Sequence, residues 1–424
     1  MSPLDPDTAA GHSPVRSLRY FNYRLWFGGA LISNVGTWMQ RTAQDWLVLT
    51  QLTHHNAAAV GIVMALQFGP QLVLMPWTGF AADHYDRRKL LMATQAVMGV
   101  LALALGLLTV MGWVRLWQVY LFALLFGSAA AFDAPVRQTF VSELVGERDL
   151  TNAVALNSTS FNAARMIGPA VAGLCIGAVG TGWAFVLNGI SFVAVLISLT
   201  RLRGHELQRG ERAVRKRGNL VEGFRYVAAR PDLRAMVLML FFIGTFGLNF
   251  PIFISTMAIG VFHTDAAGYG LLSSIMAVGT MGGALLATGR KEPRFALLTI
   301  GAAIFGIGCV FAALAPGYWL FAVALVIIGV SALTFANTTN ALMQLTTEPA
   351  MRGRVMAIRL AVALGGTPIG APLVGWVANA FGARWALGVG AAAGLLAALV
   401  GLRYAHRAGP RETRVSQASV APSP

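Results

Sequence analysis

One polar stripe runs along the first apolar segment of the sequence, and its residue types could carry charge or protons. Its members are Asn34, Thr37, Trp38, Arg41, Gln44 and Asp45. They recur every three or four residues, which places them on one face of a helix. An ionisable group inside a membrane costs about 2.5–3.5 kcal/mol, so this face should border a cavity, lined by Asn34, Trp38 and Gln44. Arg41 and Asp45 are four residues apart, so Asp45 is either a protonatable transport residue or half of a structural ion pair.

A second cation, Arg165, precedes Gly168-Pro169 in another apolar segment. The Gly-Pro pair predicts a kinked and closely packed helix, because proline removes a backbone donor and small residues let helices approach. Arg165 could bind an anionic substrate or pair with Asp45 or Asp133, and the sequence leaves these alternatives open. With Arg41 and Asp45 it forms the expected proton or charge relay.

The second half of the sequence offers uncharged groups instead. Asn249 and Phe250 occur in one apolar segment, and Asn337, Asn340 and Gln344 occur at helical spacing in another. These residues are predicted to line the substrate cavity, since amides and aromatic rings suit a large amphiphilic substrate. The amides could equally bond one helix to the next. No carboxylate is evident within the apolar segments of this half, so proton chemistry is expected in the first half.

A charged run interrupts the apolar sequence at residues 79–89. It has the form Gly-x-x-x-Asp-x-x-x-Arg-Arg, with Gly79, Asp83, Arg87 and Arg88 at the named places. Gly79 lacks a side chain and so lets one helix approach another closely. Asp83 can accept hydrogen bonds at a helix N-terminus, where the dipole favours an anion, and the two arginines can pair with carboxylates.

The elements that position these groups are membrane helices. The chain has 424 residues, of which 56% are apolar and 12% charged, and its mean hydropathy is +0.64. Soluble chains are about 45–50% apolar and about 25% charged. A spanning helix needs about 20 apolar residues. Such windows predict twelve spans, at about 22–51, 57–82, 89–112, 115–138, 152–178, 181–203, 233–262, 266–289, 294–315, 317–343, 354–380 and 382–405.

The basic residues predict the orientation of these spans. When they are assigned to alternating sides, 28 of the 32 Lys and Arg residues fall on one side, and only Arg115 and Arg384 on the other. The side with the excess is cytoplasmic, so both termini are expected in the cytoplasm. The net charge of +15 is then a topology signal with some attraction to membrane lipid, not a sign of nucleic-acid binding.

The longest interior polar stretch, residues 204–232, divides the spans six and six. We therefore expect a six-helix bundle at 16–203, a cytoplasmic linker at 204–232 and a second six-helix bundle at 233–407. Residues 1–15 and 408–424 are expected to be disordered tails. Short segments of the first half weakly match segments of the second half, at nearly the same sequence separation each time. These matches indicate a duplication and hence two bundles with pseudo-two-fold symmetry.

The twelve spans, the central linker and the charged run together resemble the major facilitator superfamily. Segments 41–47, 135–138, 191–192 and 352–356 are similar to its bacterial branch of drug and siderophore exporters, which includes the enterobactin exporter. The resemblance implies an all-α integral membrane fold in which two six-helix bundles give alternating access to a central site. It also implies a place in the bacterial inner membrane.

The resemblance gives the charged run a role as a cytoplasmic gate that holds the two halves together. An acidic residue near the inner end of the fourth helix completes the gate in this family, and Asp133 stands at the matching place. The run departs from the family pattern at Asp86, where a glycine is frequent. Gly168-Pro169 resembles part of the motif of antiporting members, without its full glycine series.

No other chemistry is indicated. The sequence lacks the Gly-x-x-x-x-Gly-Lys-Ser/Thr phosphate loop, so an ATP-driven pump is unsupported. Cys175 and Cys309 lie within predicted spans, and the seven histidines show no metal-ligand spacing. We therefore expect no enzyme activity, metal or cofactor.

The expected function is a secondary active transporter that exports drug-like or siderophore-like small molecules, coupled to protons and acting as a monomer. An uptake or facilitative carrier of a small metabolite is one alternative. A non-transporting membrane sensor or assembly protein is another. The charged run and the stripe argue against the last, because a scaffold would not need them.

Overall fold

The computed structural model describes residues 15–208, 220–288 and 293–412, and the regular structure in these ranges is helical. The α-helices are α1 (Phe21–Trp46), α2 (Ala57–Val73), α3 (Met75–His84), α4 (Arg87–Val110), α5 (Leu116–Leu144), α6 (Glu147–Val179), α7 (Thr181–Thr200), α8 (Leu220–Ala229), α9 (Pro231–Phe242), α10 (Phe250–Gly260), α11 (Ala266–Thr288), α12 (Phe295–Leu314), α13 (Tyr318–Thr346), α14 (Pro349–Phe381) and α15 (Ala383–Glu412). Short 3₁₀ turns lie at Arg16–Arg19 and Gly204–Glu206, and π-helical turns at Leu47–Leu52 and Ile243–Gly247.

Ten segments of the described ranges are long and apolar enough to cross a membrane, and the bent pair α2–α3 adds an eleventh. The two helices of the pair meet at 57°, and Pro70 and Pro76 near the break each lack a backbone donor. α1 has 26 residues, about 39 Å at the helical rise, which exceeds the hydrocarbon thickness of about 30 Å. Its polar stripe lowers its hydropathy without shortening it. The all-α, twelve-span membrane fold expected from the sequence is confirmed.

Contacts divide the chain into two units, Met1–Leu47 with Val73–Arg215 and Val48–Leu72 with Lys216–Pro424. The second unit therefore includes α2, which the sequence-based boundaries place in the N-terminal bundle. The division at the linker 204–232 stays a prediction.

α2 belongs to the second unit because it packs at backbone distance on α14. A Cβ placed on Gly61 would lie 2.8 Å from the Cα of Pro372, closer than real side chains approach. The side chain of Asn379 accepts a hydrogen bond from the Ala57 amide at 2.7 Å and donates one to Asn56 at 2.6 Å. Small residues along α2 and α14, and side-chain amides at their ends, thus hold these two helices together.

The core of the first unit forms where α1, α5 and α7 meet. Tyr23 and Trp26 of α1 pack with Phe140 of α5 and Leu199 of α7, and each of these side chains is at most 2% exposed. Gly36 allows the approach of α7, since a Cβ there would lie 3.1 Å from the Cβ of Ser191. α1 is therefore held against α5 and α7 through these residues.

The core of the second unit surrounds the π-helical turn between α9 and α10. Met239, Phe335 and Ile358 are buried there, contributed by α9, α13 and α14. Gly370 of α14 lies directly against the carbonyl group of Thr245 in the turn. The irregular turn is thus covered by protein, as backbone at membrane depth must be.

The polar segments follow the expectations only in part. The stretch expected to be a linker contains α8, an amphipathic helix in which Val227 is buried and Phe224 exposed. The C-terminal tail was expected to begin at residue 408, but α15 continues to Glu412. Residues 1–14, 209–219, 289–292 and 413–424 lie outside the described residues, and the expectations for them stay predictions.

The substitution Gly370→Ala tests the packing of α14 on the π-helical turn. The added methyl group has no room beside the Thr245 carbonyl, and overpacking costs about 1–3 kcal/mol. We expect the melting temperature of the purified protein to fall by several degrees. Gly177→Ala is the matched control, because a Cβ there meets no atom within 4 Å. Equal melting temperatures for the two variants would contradict this packing.

Candidate functional site

The polar stripe on α1 is open at its centre and buried at its C-terminal end. Asn34, Trp38 and Arg41 are half-buried, whereas Gln44 and Asp45 are only 3% and 8% exposed. Gln44 was predicted to line a cavity, but α1 turns it toward protein. Thr37 is half-buried as well, so four of the six side chains of the stripe reach an open surface.

The indole of Trp38 contacts two guanidinium groups. The Cζ atom of Arg41 lies 4.8 Å from the ring centroid, and that of Arg165 on α6 lies 5.7 Å from it. Phe161 packs edge-on against the same indole, with 5.8 Å between the ring centroids. We call Trp38, Arg41, Asp45, Phe161 and Arg165 the Trp38 cluster. A cation over an aromatic ring is stabilised by about 0.5–2 kcal/mol, which helps to hold two like charges together.

The Trp38 cluster carries more positive than negative charge. Arg41 interacts electrostatically with both Asp45 and Arg165. Arg165 forms no ion pair with Asp45 or Asp133 in the part of the chain that the structure describes. The cluster therefore holds two guanidinium groups and one carboxylate, so it has a net charge of +1 when all three are ionised. The sequence allowed Arg165 to bind an anionic substrate or to pair with Asp45 or Asp133. The net positive charge of the cluster favours the anionic substrate.

Gly168 brings the two arginines of the cluster together. A Cβ at this position would lie 2.5 Å from the Cβ of Trp38 and 3.0 Å from the Met39 amide nitrogen. The missing side chain lets α6 touch α1, and Arg165 stands one turn earlier on α6. The Gly168-Pro169 pair thus has the packing role predicted from the sequence, and it also places a cation.

Asp133 is the centre of a separate polar network. It is 5% exposed and accepts hydrogen bonds from Thr94 Oγ1 at 2.9 Å and Gln95 Nε2 at 2.6 Å. Its ion-pair partner is Arg137, one turn along α5, at 2.9 Å. Arg137 also donates to Asn34 Oδ1 at 3.2 Å, which ties the network to α1. Asp133 is thus neutralised and hydrogen-bonded inside the first unit.

The charged run joins α3 to α4. Arg87 Nη1 pairs with Glu143 Oε1 at 2.7 Å. Asp86 is the N-cap of α4 and accepts a hydrogen bond from the Lys89 amide at 3.0 Å, which explains an aspartate at a position where glycine is frequent. A Cβ at Gly79 would meet no described atom within 4 Å, so the close helix approach expected there is absent. The side chain of Asp83 lies outside the described residues.

Two of the pairings predicted for the charged run at residues 79–89 are wrong. Arg88 was expected to pair with a carboxylate, but it donates to the carbonyl oxygens of Leu199 and Thr200 at 2.8 and 3.0 Å. These carbonyls end α7 and have no intrahelical donor, so a cation suits them. Asp133 was expected to complete the charge network, but Glu143 does so. The two acids are ten residues apart on α5, about 15 Å, and only Glu143 stands at the helix end.

The residues predicted to line a cavity in the second half do not form one group. Asn249 is fully buried at the end of the π-helical turn and donates to the Thr245 carbonyl at 2.8 Å. Phe250 packs against other aromatic rings. On α13, Asn337 and Gln344 are exposed and Asn340 half-buried, with Gln344 donating to Asn340 at 3.4 Å. The α13 amides share one open face, whereas Asn249 is structural.

The sequence interpretation missed several partners. Asn188 of α7 donates to Gln40 of α1 at 2.6 Å, beside the stripe. Asp149 pairs with Arg16 at 2.8 Å and Arg19 at 2.7 Å, which fastens the N-terminal 3₁₀ turn to the start of α6. The sequence could have identified Arg137 as the partner of Asp133, since it stands four residues after it. The other pairings join residues more than 100 positions apart, and no local spacing reveals them.

Comparisons with known proteins agree on the type of protein. A family model described as "Transmembrane secretion effector" matches residues 9–423. The chain is 27% identical to the multidrug efflux pump Tap of Mycolicibacterium fortuitum, over 83% of this chain and 88% of that protein. It is 25% identical to the enterobactin exporter EntS of Shigella flexneri, over 77% and 78% of the two chains.

A third relative matches a shorter stretch. The staphyloferrin A transporter of Staphylococcus aureus is 32% identical over 178 residues, which are 42% of this chain and 44% of that protein. This chain therefore matches less than half the length of that relative.

The fold also occurs among solved structures. The crystal structure of a bacterial homologue of the human lysosomal transporter Spinster, inward-facing and occupied, matches with a TM-score of 0.72. The match covers 95% of this chain and 99% of that one, at 16% identity, and so it concerns the fold alone.

The Asp133 network predicts a large effect of removing one charge. Asp133→Asn leaves Arg137 without its carboxylate in a mostly buried place, which costs about 3–5 kcal/mol of stability. The melting temperature should fall markedly, and Asp133→Asn with Arg137→Gln should recover part of the loss. Glu206→Gln breaks an exposed pair with Arg203 and serves as control, with a loss below about 1 kcal/mol. A double variant no more stable than Asp133→Asn would contradict the pairing.

Proposed function

We propose that this chain, which belongs to the transmembrane secretion effector family of the major facilitator superfamily, exports aromatic acids of drug-like or siderophore-like size in exchange for protons. Membership of the family makes the chain a multi-pass membrane transporter that binds small-molecule substrates. The substrate class, the direction and the coupling ion are the parts of this proposal that need experiment.

The Trp38 cluster is the observation that carries the proposal. An aromatic acid offers a flat ring for the indole of Trp38 and a negative charge for Arg165. Arg165 supplies a planar guanidinium, which binds carboxylates through two parallel hydrogen bonds. The half-buried position of Trp38 leaves its ring accessible to a ligand. The uncharged amides of α13 suit the remaining polar groups of a larger substrate.

Exchange with protons follows from competition for the face of Trp38. In the described structure Arg41 lies over that ring, 4.8 Å from its centroid. An aromatic substrate takes the same place and displaces the Arg41 guanidinium toward Asp45, one helical turn away. The displaced cation strengthens its existing electrostatic interaction with an ionised Asp45, so substrate binding favours loss of the Asp45 proton. Proton and substrate thus exclude one another, which is the condition for antiport.

Export rather than uptake is supported by the names of the relatives. One is named an enterobactin exporter and another a multidrug efflux pump. A third is named a staphyloferrin A transporter, without a direction. We apply these names to this chain only as a class of activity, the export of small molecules. The Trp38 cluster narrows the proposed substrates to acidic aromatic molecules.

The charged run is proposed as the cytoplasmic gate. Gly79, Asp83, Arg87 and Arg88 keep the role implied by the family resemblance, with Glu143 in place of Asp133 as the acidic partner. The distribution of basic residues supports cytoplasmic termini in a bacterial inner membrane. A monomer is proposed, since each chain of this fold carries its own site.

Transport in everted membrane vesicles tests the substrate class. Vesicles with the wild-type protein should accumulate radiolabelled 2,3-dihydroxybenzoate when energised, and a protonophore should abolish the accumulation. Arg165→Gln should lower the initial rate at least ten-fold, because the substrate loses its counter-charge. Arg24→Gln changes an exposed arginine of α1 outside the Trp38 cluster and should match the wild type. Accumulation that is unchanged by the protonophore, or equal initial rates for Arg165→Gln and Arg24→Gln, would refute the proposal.

The substitution Asp45→Asn tests the coupling ion. The amide cannot exchange a proton, so accumulation in energised vesicles should fall to the level seen with protonophore. Exchange of labelled for unlabelled substrate across the membrane needs no net proton movement and should persist. Full gradient-driven accumulation in this variant would remove Asp45 from the mechanism.

A further inference from the structure

A cavity lies within the second unit, and none of its lining residues belongs to the Trp38 cluster. It has a volume of about 760 Å³ and is lined by three segments, at residues 49–57, 256–261 and 378–385. Ligand pockets in proteins typically have volumes of about 300–1,000 Å³. The distribution of basic residues assigns the loops in these segments to the outer side of the membrane.

The lining of this outer cavity is rich in donors and lacks acids. His54, His55 and Arg384 supply groups that carry or can acquire positive charge, and Asn379 supplies an amide. None of the lining residues is aspartate or glutamate. Within the described ranges, Arg384 pairs with no carboxylate, and neither imidazole has a hydrogen-bond partner. An anion would therefore meet complementary charge there without competition from a carboxylate.

The cationic wall is fixed before any ligand arrives. Arg384 donates to the carbonyl oxygens of Ala313 and Ala315 at 2.6 and 3.2 Å, which hold its guanidinium at the end of α12. Asn379 is held by Ala57 and Asn56, as described for the packing of α2. A rigid charged group loses little freedom when it binds a ligand.

The loop of the two histidines has an uncommon backbone conformation. His54 and His55 both have positive φ, 47° and 73°, a region that residues with side chains seldom adopt. The loop is held by hydrogen bonds from the His55 amide to the Leu49 carbonyl at 2.7 Å and from Thr53 Oγ1 to the Val48 carbonyl at 2.6 Å. Unfavourable backbone conformations of this kind concentrate at ligand sites.

One wall of the cavity is apolar and aromatic. Phe381 and Trp385 line it, and their ring centroids lie 6.4 Å apart. Both side chains are more than 60% exposed, so their faces are free for a ligand within the described structure. Aromatic walls with a few fixed polar groups are the usual composition of a small-molecule site.

We propose that the outer cavity is a second binding site, specific for a small aromatic carboxylate. The ring lies against Phe381 and Trp385, and the carboxylate meets Arg384 and the two histidines. The site is independent of the Trp38 cluster, and its existence does not depend on the direction or the coupling of transport.

Binding to the full-length protein in nanodiscs of zwitterionic lipid tests this site. The probes are salicylate and its uncharged analogue salicylamide, measured by equilibrium dialysis. The background is Arg41→Gln with Arg165→Gln, which removes the cations of the Trp38 cluster. Salicylate should bind saturably and at least ten-fold more tightly than salicylamide. Equal binding of the two probes, or no saturable binding of salicylate, would overturn the proposal.

Variants of the cavity wall locate the binding. Arg384→Gln should weaken salicylate binding at least ten-fold, and so should His54→Asn with His55→Asn, because asparagine tolerates the same backbone conformation without the imidazoles. Arg115→Gln is the matched control, since Arg115 is an exposed arginine of another outer loop. Binding that is unchanged in both wall variants would place the ligand elsewhere.

A chemical measurement covers the case in which the cluster background fails to fold. Ala383→Cys places a thiol on the cavity wall of the otherwise wild-type chain, and Met111→Cys places one on an exposed loop outside the cavity. Salicylate should slow the reaction of a maleimide with the first thiol several-fold and leave the second unchanged. Equal rates with and without salicylate at residue 383 would contradict the site. Failure of transport in vesicles, with protection retained, would count against the proposed function alone.

Discussion

A charge buried in a bilayer must be neutralised, hydrogen-bonded or placed against water, and this constraint organises the first unit. Asp133 satisfies it completely, since one guanidinium, a hydroxyl and an amide all point at its carboxylate. The Trp38 cluster satisfies this constraint only in part, because it holds two guanidinium groups and one carboxylate. Both guanidinium groups contact the indole of Trp38. The closed network holds helices together. The open cluster has a net positive charge, and we propose that a substrate and a proton use it.

The two units therefore differ in chemistry although both are helical. The first unit carries the buried and half-buried charges of α1, α5 and α6. The second unit is built on close helix contacts, such as that of α2 with α14, and on a π-helical turn sealed by Gly370. The buried polar side chains described in this unit are hydroxyls and amides, and its outer cavity contains Arg384. We propose proton exchange for the first unit, and ring-binding and anion-binding surfaces for the second.

The sequence predicted the features that depend on local spacing. Helical periodicity on α1 placed Asn34, Trp38 and Arg41 on one face, and hydropathy with charge distribution predicted the twelve spans. It could not predict partners that depend on which turns of two helices meet. Glu143 pairs with Arg87 because it stands at the end of α5, a fact about helix ends in space. Arg165 reaches Trp38 because Gly168 lets α6 touch α1 there. Gln44 carried the right spacing for the stripe, yet packing buried it.

The central claim is that substrate and proton exclude one another at the Trp38 cluster, and a count of protons tests it most directly. Purified protein in weakly buffered detergent solution at neutral pH is mixed with saturating 2,3-dihydroxybenzoate adjusted to the same pH, and an indicator dye reports released protons. The account predicts release of close to one proton per bound molecule from the wild type and none from Asp45→Asn. Binding without proton release from the wild type, or equal release from the variant, would contradict it.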